Sequence, residues 1–251
     1  HRYTLNAAGQ VTELALGNGT KETRTYDTAS RLTSLANSGP GGTVISSHAL
    51  QMDPEGNIVE AAVQLPLLPS FGPSTKTMTY DAANRLTSVD GQAVTHDSAG
   101  RLTKIGSDTY AYDSRDLLTT ITGPNAGTNT YNGAGHRVAR SNASGVTRYV
   151  IDPSAGTMFS VLQENDGSDN LLRSYIHGYG LLMQISAADV PRYYHYDPTG
   201  HTLALTDAAA VVTDRYFYPP YGESVSFGTG VNPFRFVGKF GVMDDENGLY
   251  Y

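Results

Sequence analysis

Residues 80–89 read YDAANRLTSV, residues 96–105 HDSAGRLTKI and residues 112–121 YDSRDLLTTI, and the same frame stands at residues 26–35 as YDTASRLTSL. A catalytic constellation is needed once, whereas a unit rewritten at a short period is building material that stacks on its own copies. The frame has a local physical meaning. An Asp after an aromatic residue is suited to start a turn, because its carboxylate accepts a backbone N–H two residues on. Three residues after that Asp, or after an Asn in its place, stands Gly9, Gly56, Gly100, Gly135 or Gly200. Glycine takes positive φ without steric cost and completes a type I turn with a bulge. Asn84 and Asp116 replace it with the residue types that best tolerate the left-handed conformation, while Ser30 fits less well, which predicts strain or a different loop there.

After the turn, RLT resumes the alternation of a strand, with Leu32, Ile58, Leu86, Leu102 and Leu118 on one face and Arg31, Arg85 and Arg101 expected on the other. The aromatic residue before the turn, Tyr26, Tyr80 or Tyr112, is placed to pack across to an aliphatic neighbour. One hairpin alone is marginal in water, so copies must lie side by side. Looser copies extend the series: NAAGQVTEL at Asn6, MDPEGNIVEA at Met52, YNGAGHRVAR at Tyr131, IDPSAGTMFSVL at Ile151 and YDPTGHTLAL at Tyr196. In those at Tyr131 and Tyr196 the aliphatic residue (Val138, Leu203) comes one place later, which leaves their register open. The alanine run in LALTDAAAVVTDRY from Leu203 favours helix by propensity. Its turn residues fall in step with the other copies, however, and Val211, Val212, Tyr216 and Tyr218 favour a strand, so a hairpin is expected. NSGPGGT near Gly39 and VQLPLLPSFGPST near Leu65 read as loops inserted between hairpins.

The repeat therefore predicts an all-β fold of tandem hairpins in one elongated or curved continuous sheet, as one domain over residues 1–251, which the family resemblance given below makes a spiralling one. The residues expected to carry it are Tyr26, Asp27, Tyr80, Asp81, His96, Asp97, Gly100, Tyr112, Asp113, Tyr131, Gly135, Tyr196, Asp197 and Gly200. With 251 residues and 39% hydrophobic positions the chain is long enough to bury a core. A formal charge of −7, with 17 basic residues scattered singly, offers no footprint for nucleic acid. No apolar run approaches the length of a membrane helix. The absence of cysteine excludes a disulfide framework and thiolate metal sites. The first residue is His1 rather than Met, so the sequence reads as a piece of something longer. NGT at Asn18 and NAS at Asn142 match a glycosylation pattern that Gly- and Ser-rich turns also generate by chance.

Turn duty accounts for the residues that could otherwise carry chemistry. Paired acids and tyrosines serve glycosidases, yet each Asp of the clear repeats stands where a turn requires it, and Asp53, Asp152 and Asp197, each followed by Pro, read as turn starts. His48, His96, His136, His177, His195 and His201 include no pair at zinc-protease spacing. DDENG at Asp244 matches a calcium loop too loosely and reads as a turn. No GxSxG elbow or phosphate loop is present. No cofactor, metal or catalytic residue is expected. A row of exposed tyrosines that binds sugar faces, as in an adhesin, is the alternative to cross-strand packing.

The iterated YDxxGRL unit resembles the YD repeat of Rhs proteins, of toxin-enclosing components of insecticidal toxin complexes and of teneurins. YVIDPSAGTMFSVLQEND from Tyr149, SYIHGYGLLMQI from Ser174, YHYDPTGHTLALTD from Tyr194, RYFYPPYGESV from Arg215 and NPFRFVGKFGVMDDENGLYY from Asn232 resemble, in this order, the closing stretch of an Rhs core. Residues 1–148 then correspond to YD repeats and 149–251 to the closing segment. The resemblance implies a β-strip that spirals into a hollow shell around a C-terminal toxin, in a secreted or surface-exposed bacterial protein. In that family a self-cleaving aspartate region follows GLYY. The chain stops at Tyr251, so neither self-cleavage nor toxin activity is expected of it. The expected partners are the remainder of the parent shell and its toxin, with self-association through open sheet edges and carbohydrate as the alternative ligand.

Overall fold

The structure, a computed structural model, describes residues 1–66, 75–154, 160–219 and 224–251. Strands take 53% of the chain and helix 3%, so the all-β class expected from the repeat is the class found. One domain over 1–251 is the sequence expectation; Cα packing divides the chain into two compact units, one of residues 1–69, 155–160 and 173–251 and one of residues 70–154 and 161–172.

The first unit opens with β1 (Arg2–Leu5), β2 (Val11–Ala15), β3 (Lys21–Tyr26), β4 (Leu32–Ser38), β5 (Val44–Met52) and β6 (Ile58–Gln64), an antiparallel sheet in sequence order. The second unit holds β7 (Met78–Tyr80), β8 (Leu86–Val89), β9 (Gln92–His96), β10 (Leu102–Ile105), β11 (Asp108–Tyr112), β12 (Leu118–Thr122), β13 (Gly127–Tyr131), β14 (Arg137–Asn142), β15 (Gly145–Asp152) and most of β16 (Ser160–Asp166), again in sequence order. β17 (Leu171–Gly178), β18 (Gly180–Ser186), β19 (Pro191–Tyr196), β20 (Thr202–Thr206), β21 (Val212–Phe217) and β22 (Val225–Phe227) belong, but for the start of β17, to the first unit. Neighbours in chain order pair because each corner returns the strand directly alongside its predecessor.

In the first unit the early sheet lies against strands β18 and β19. Leu14 and Leu16 pack on Leu182 and Tyr193, with Tyr3 and Met183 at the margin. Polar groups cross the same interface: Asn37 Nδ2 donates to the Tyr196 carbonyl at 2.8 Å, and Asn18 Nδ2 to the Asp207 carbonyl at 2.8 Å. Residues 232–251 close this unit. Phe234 is fully buried, with its ring edge-on to Tyr175 at 4.9 Å. The Thr202 N–H bonds the Arg235 carbonyl, the Lys239 N–H bonds the Gly200 carbonyl, and the Phe236 and His201 rings stack at 4.3 Å. The second unit buries Val94, Tyr110, Ile121, Tyr149 and Val161, together with Arg137, whose guanidinium lies 5.4 Å from the Tyr149 ring centre.

Several local expectations are decided here. The alanine run is the hairpin expected: β20 and β21 flank a corner in which Ala210 takes φ 62°. Ser30 adopts the same corner as its glycine counterparts, at φ 67°, so the position costs strain and not a different loop. NSGPGGT is no insertion. Gly39 N–H bonds the Thr43 carbonyl and Gly42 N–H the Gly39 carbonyl, making the corner that joins β4 to β5 without an aspartate. At Tyr131 and Tyr196 the register follows the other copies, with Arg137 and Thr202, both buried, holding the place of the aliphatic residue. DDENG is a turn, with the Asp245 N–H on the Leu249 carbonyl. Most of VQLPLLPSFGPST, and the part of IDPSAGTMFSVL that includes Gly156, lie outside the described residues.

Candidate functional site: corners, stitches and latches

Each aspartate corner is built by one carboxylate. Asp97 Oδ1 accepts the N–H of Ala99 and of Arg101, both at 2.9 Å, while the Asp97 N–H bonds the Arg101 carbonyl and the Gly100 N–H the Asp97 carbonyl. Gly100 stands at φ 83°, the left-handed conformation that lets the fourth bond close. The same bonds recur at Asp27, Asp81 and Asp197, and at Asn132 with its amide oxygen in place of the carboxylate. At Asp113, Oδ1 accepts from Arg115 and Leu117. Gly135 and Gly200 take φ 85° and 91°, as Asn84 and Asp116 take 60° and 64°.

The arginines differ from expectation. Arg31, Arg85 and Arg101 precede the first residue of their strands and so do not line an opposite sheet face; the carboxylate draws each guanidinium back into the corner, Nε to Asp Oδ2 at 2.7, 2.8 and 2.7 Å. The spare nitrogens reach the next corner. Arg31 Nη1 donates to the Asp53 carbonyl at 2.9 Å, Arg101 Nη1 to Asp116 Oδ1 at 2.5 Å, and Arg115 Nη1 to the Asn132 carbonyl at 3.1 Å. Consecutive hairpins are thus stitched along one edge. The electrostatics follow: the Arg31 and Arg85 backbone N–H groups, then their guanidinium groups, hold the Asp27 and Asp81 carboxyls below the usual carboxylate range, and at Asp97 the Arg101 side chain is the largest cause.

The tyrosines do more than pack. Tyr112 Oη donates to the Leu102 carbonyl at 2.8 Å, Tyr131 Oη to Leu118 at 2.8 Å, Tyr26 Oη to Val11 at 2.9 Å, Tyr196 Oη to Leu181 at 2.7 Å and Tyr218 Oη to Thr202 at 2.6 Å. Each acceptor stands at the start of the preceding strand, beyond the paired part of the ladder: β10 and β11 pair only at Lys104–Thr109 and Ile105–Asp108, short of Leu102. A carbonyl left unpaired in a partly buried position is costly, and a phenol that reaches over from the next strand satisfies it. Burial raises the pKa of Tyr112, Tyr196 and Tyr218, so all three hydroxyls stay protonated donors. Two repeat positions depart from the pattern. His96 has no hydroxyl, and Tyr80, 54% exposed, places its own on Met78 Sδ at 3.3 Å.

Several polar groups carry no signal in the repeat. Buried Asp108 accepts Asn125 N–H at 3.0 Å and Asn125 Nδ2 at 2.7 Å, and buried Asp214 accepts Gly230 N–H and Thr213 Oγ1, both at 2.7 Å. Each fixes the loop that follows the neighbouring strand or closes on it. A Cβ on Gly228 would stand 2.4 Å from Asp214 Oδ1, so the close approach is readable as Asp-to-Gly only once the strands are paired. In the first unit, buried Glu22 accepts Arg24 Nε at 2.6 Å, and Lys239 Nζ lies 5.4 Å from the Tyr196 ring centre, its pKa lowered by burial against the opposing pull of Glu22. Arg235 pairs with Asp244 at 3.2 Å and Glu246 at 2.9 Å. His195 is buried with Nε2 2.9 Å from Thr206 Oγ1, and burial pushes it down to about 3.

The Teneurin YD-shell family model matches residues 6–247. Among curated proteins the chain is similar to the tRNA3(Ser)-specific nuclease WapA of Bacillus spizizenii, 29% identical over 129 residues, and to the tRNA(Glu)-specific nuclease WapA of Bacillus subtilis subsp. natto, 30% identical over 129 residues. Each match takes in 49% of this chain and 5% of the relative's length. Among solved structures it is similar to the Tc holotoxin pore of Photorhabdus luminescens, with a TM-score of 0.68 at 16% identity over 100% of this chain and 17% of that one. It is also similar to TcdB2–TccC3, with a TM-score of 0.66 at 16% identity over 99% of this chain and 17% of that one. At these identities the likeness is one of fold.

Proposed function

The chain belongs to the Teneurin YD-shell family, and from that membership we propose that it is a stretch of wall, without catalysis of its own, in a secreted or surface-exposed bacterial shell that encloses a toxin polypeptide carried C-terminal to it. The observation that carries this reading is where the repeat's chemistry goes. The corner carboxylates are occupied by backbone N–H groups, the repeat arginines by corner carboxylates and neighbouring corners, and five tyrosine hydroxyls by strand carbonyls. A repeat that spends most of its polar groups on its own corners and strands suits a barrier, and one solved structure of like fold is named as a Tc holotoxin pore. The curated relatives are named as nucleases, and the matched stretch is 5% of their length; we read that stretch as their wall and the nuclease as the enclosed part.

An adhesin would display its rings and leave their hydroxyls for sugar. Tyrosines spent on latches favour the wall. The test is limited proteolysis of the full-length gene product, followed by mass analysis. Whatever follows residue 251 should resist a protease until the wall is opened by removing latches (Tyr112→Phe with Tyr131→Phe). If that region is digested at once from the intact protein, enclosure is refuted, and binding on a glycan array lost with the exposed rings would establish the adhesin instead.

A further inference from the structure

Across β13, β14 and β15 the register sets Thr128 opposite Ser141 and Ser141 opposite Val146, and likewise Thr130 opposite Ala139 and Ala139 opposite Arg148. The two rows stand two residues apart on each strand, so their side chains share one face of the sheet. The corner between β16 and β17 lies against that face. A Cβ on Gly167 would stand 3.2 Å from the Val146 Cβ. Arg148 reaches the corner only by long contacts, Nη2 to the Gly167 carbonyl and Nε to Asp169 Oδ1, both at 3.4 Å. Corner and strands enclose a cleft of about 530 Å³ in the second unit, within the span of about 300–1,000 Å³ usual for small-molecule sites. Ala139, Val146 and Val150 give it apolar surface.

The polar groups of this cleft are unspent. Elsewhere in the unit threonine hydroxyls pair with one another, Thr79 with Thr87 and Thr95 with Thr103, both at 2.9 Å. In the cleft, the side chains of Thr128, Thr130 and Ser141 bond to no protein group among the described residues, and Asn165 leaves its Oδ1 buried without a partner. A buried amide oxygen without a donor is a standing cost to the fold, which a bound donor removes.

The lining selects its ligand by hydrogen-bond character. Arg148 only donates, Asp169 only accepts, and the Asn165 amide and the three hydroxyls do both. An anion suits Arg148 and is repelled by Asp169, and a cation meets the reverse. A zwitterion suits that pair and leaves the row of hydroxyls unused. A neutral sugar donates and accepts at every hydroxyl and lays its C–H faces on Ala139, Val146 and Val150. We infer that the cleft binds a neutral oligosaccharide of two or three rings, with Asn165 Oδ1 accepting from one sugar hydroxyl and Arg148 and Asp169 sharing a neighbouring pair. Tyr149 also lines the cleft, but it is buried beside the Arg137 guanidinium. With no ring offered for stacking, binding is weak, with a dissociation constant of about 1 mM. The site goes beyond the wall reading and uses none of the latching tyrosines, so it is independent of what the shell encloses.

The test is an amide magnetic-resonance titration of the isotope-labelled 251-residue chain with cellotriose, maltotriose and tri-N-acetylchitotriose. Glucuronic acid and leucine serve as the anionic and zwitterionic arms. At least one trisaccharide should move the signals of Thr128, Ser141, Arg148 and Asn165 at millimolar concentration, and neither control should. Asn165→Leu replaces the unpaired amide by an apolar side chain of similar shape, so it should melt no lower than the parent and yet bind at least fivefold more weakly. Thr128→Val with Ser141→Ala should keep the melting temperature and weaken binding about fivefold, the effect of one hydrogen bond. The inference is overturned if no trisaccharide moves these signals, or if glucuronic acid or leucine moves them as strongly. It also fails if either variant binds as the parent does, or if Asn165→Leu melts lower, which would give the amide a structural duty instead.

Discussion

Replacement of Tyr196 by Phe isolates the latch from the ring. The phenol oxygen lies 2.7 Å from the Leu181 carbonyl; Tyr196 is 3% exposed and Leu181 not at all, so no water can take the place of the lost donor. A buried acceptor left without a partner costs about 1–3 kcal/mol. In a unit of this size that lowers the melting temperature by about 2–4 °C per kcal/mol, so a shift of about 2–12 °C is expected. Tyr112→Phe should cost less, about 0.5–1 kcal/mol, because its partly buried site admits water. Tyr80→Phe is the control, with its hydroxyl exposed and on sulfur, and should stay within about 0.5 kcal/mol of the parent. Calorimetry, with the two compact units fitted as separate transitions, gives the three shifts. If Tyr196→Phe melts with the parent, or if Tyr80→Phe costs as much as Tyr196→Phe, the recurrence of tyrosine reflects ring packing alone and the latch contributes nothing.

Three further outcomes follow from named positions. Ser30→Gly should stabilise by about 0.5–1 kcal/mol by relieving φ 67°, and Gly100→Ser, at φ 83° with open space around it, should destabilise by a similar amount; chemical denaturation checks both, and effects of the same sign would show that the corners are not equivalent. Gly228→Ala should cost more than about 2 kcal/mol or fail to fold, because its Cβ would meet Asp214 Oδ1 at 2.4 Å and its φ is 124°; an unchanged melting temperature would place the loop elsewhere. The third concerns acid. His195 titrates near 3 in the folded chain against 6.5 when exposed, so between those values the unfolded chain binds the extra proton and stability falls as pH drops, by about 1.4 kcal/mol per pH unit. His195→Gln should be less stable at neutral pH yet flatter across that window, and a variant with the parent's slope would remove the imidazole as the cause.

How far the sequence reaches is seen residue by residue. Aspartate followed three places on by glycine, asparagine or another Asp encodes the corner completely, because every bond of that turn lies within five residues; even Ser30 and Ala210, poor by propensity, are carried into it by Asp27 and Asp207. The alanine run yields to strand for the same reason, and the Pro-Gly-Gly corner at residues 40–42 reads as an inserted loop because it makes the turn without the marker carboxylate. Strand alternation sets the arginines opposite the leucines, but it begins only one residue after them, and the corner aspartate draws each guanidinium back.

The chain by itself therefore determined the hairpins, their order and their period, since these depend on torsions and hydrogen bonds between residues close in sequence. The partner of each tyrosine hydroxyl, the corner each spare guanidinium reaches, the burial of Asp108, Asp214 and His195, and the seating of Leu14 and Leu16 on Leu182 and Tyr193 were decided by tertiary structure. Those contacts depend on which carbonyl a bulge leaves outside the ladder and on which sheet covers which. Both are set when strands pair and layers pack, and no local pattern of side chains specifies them.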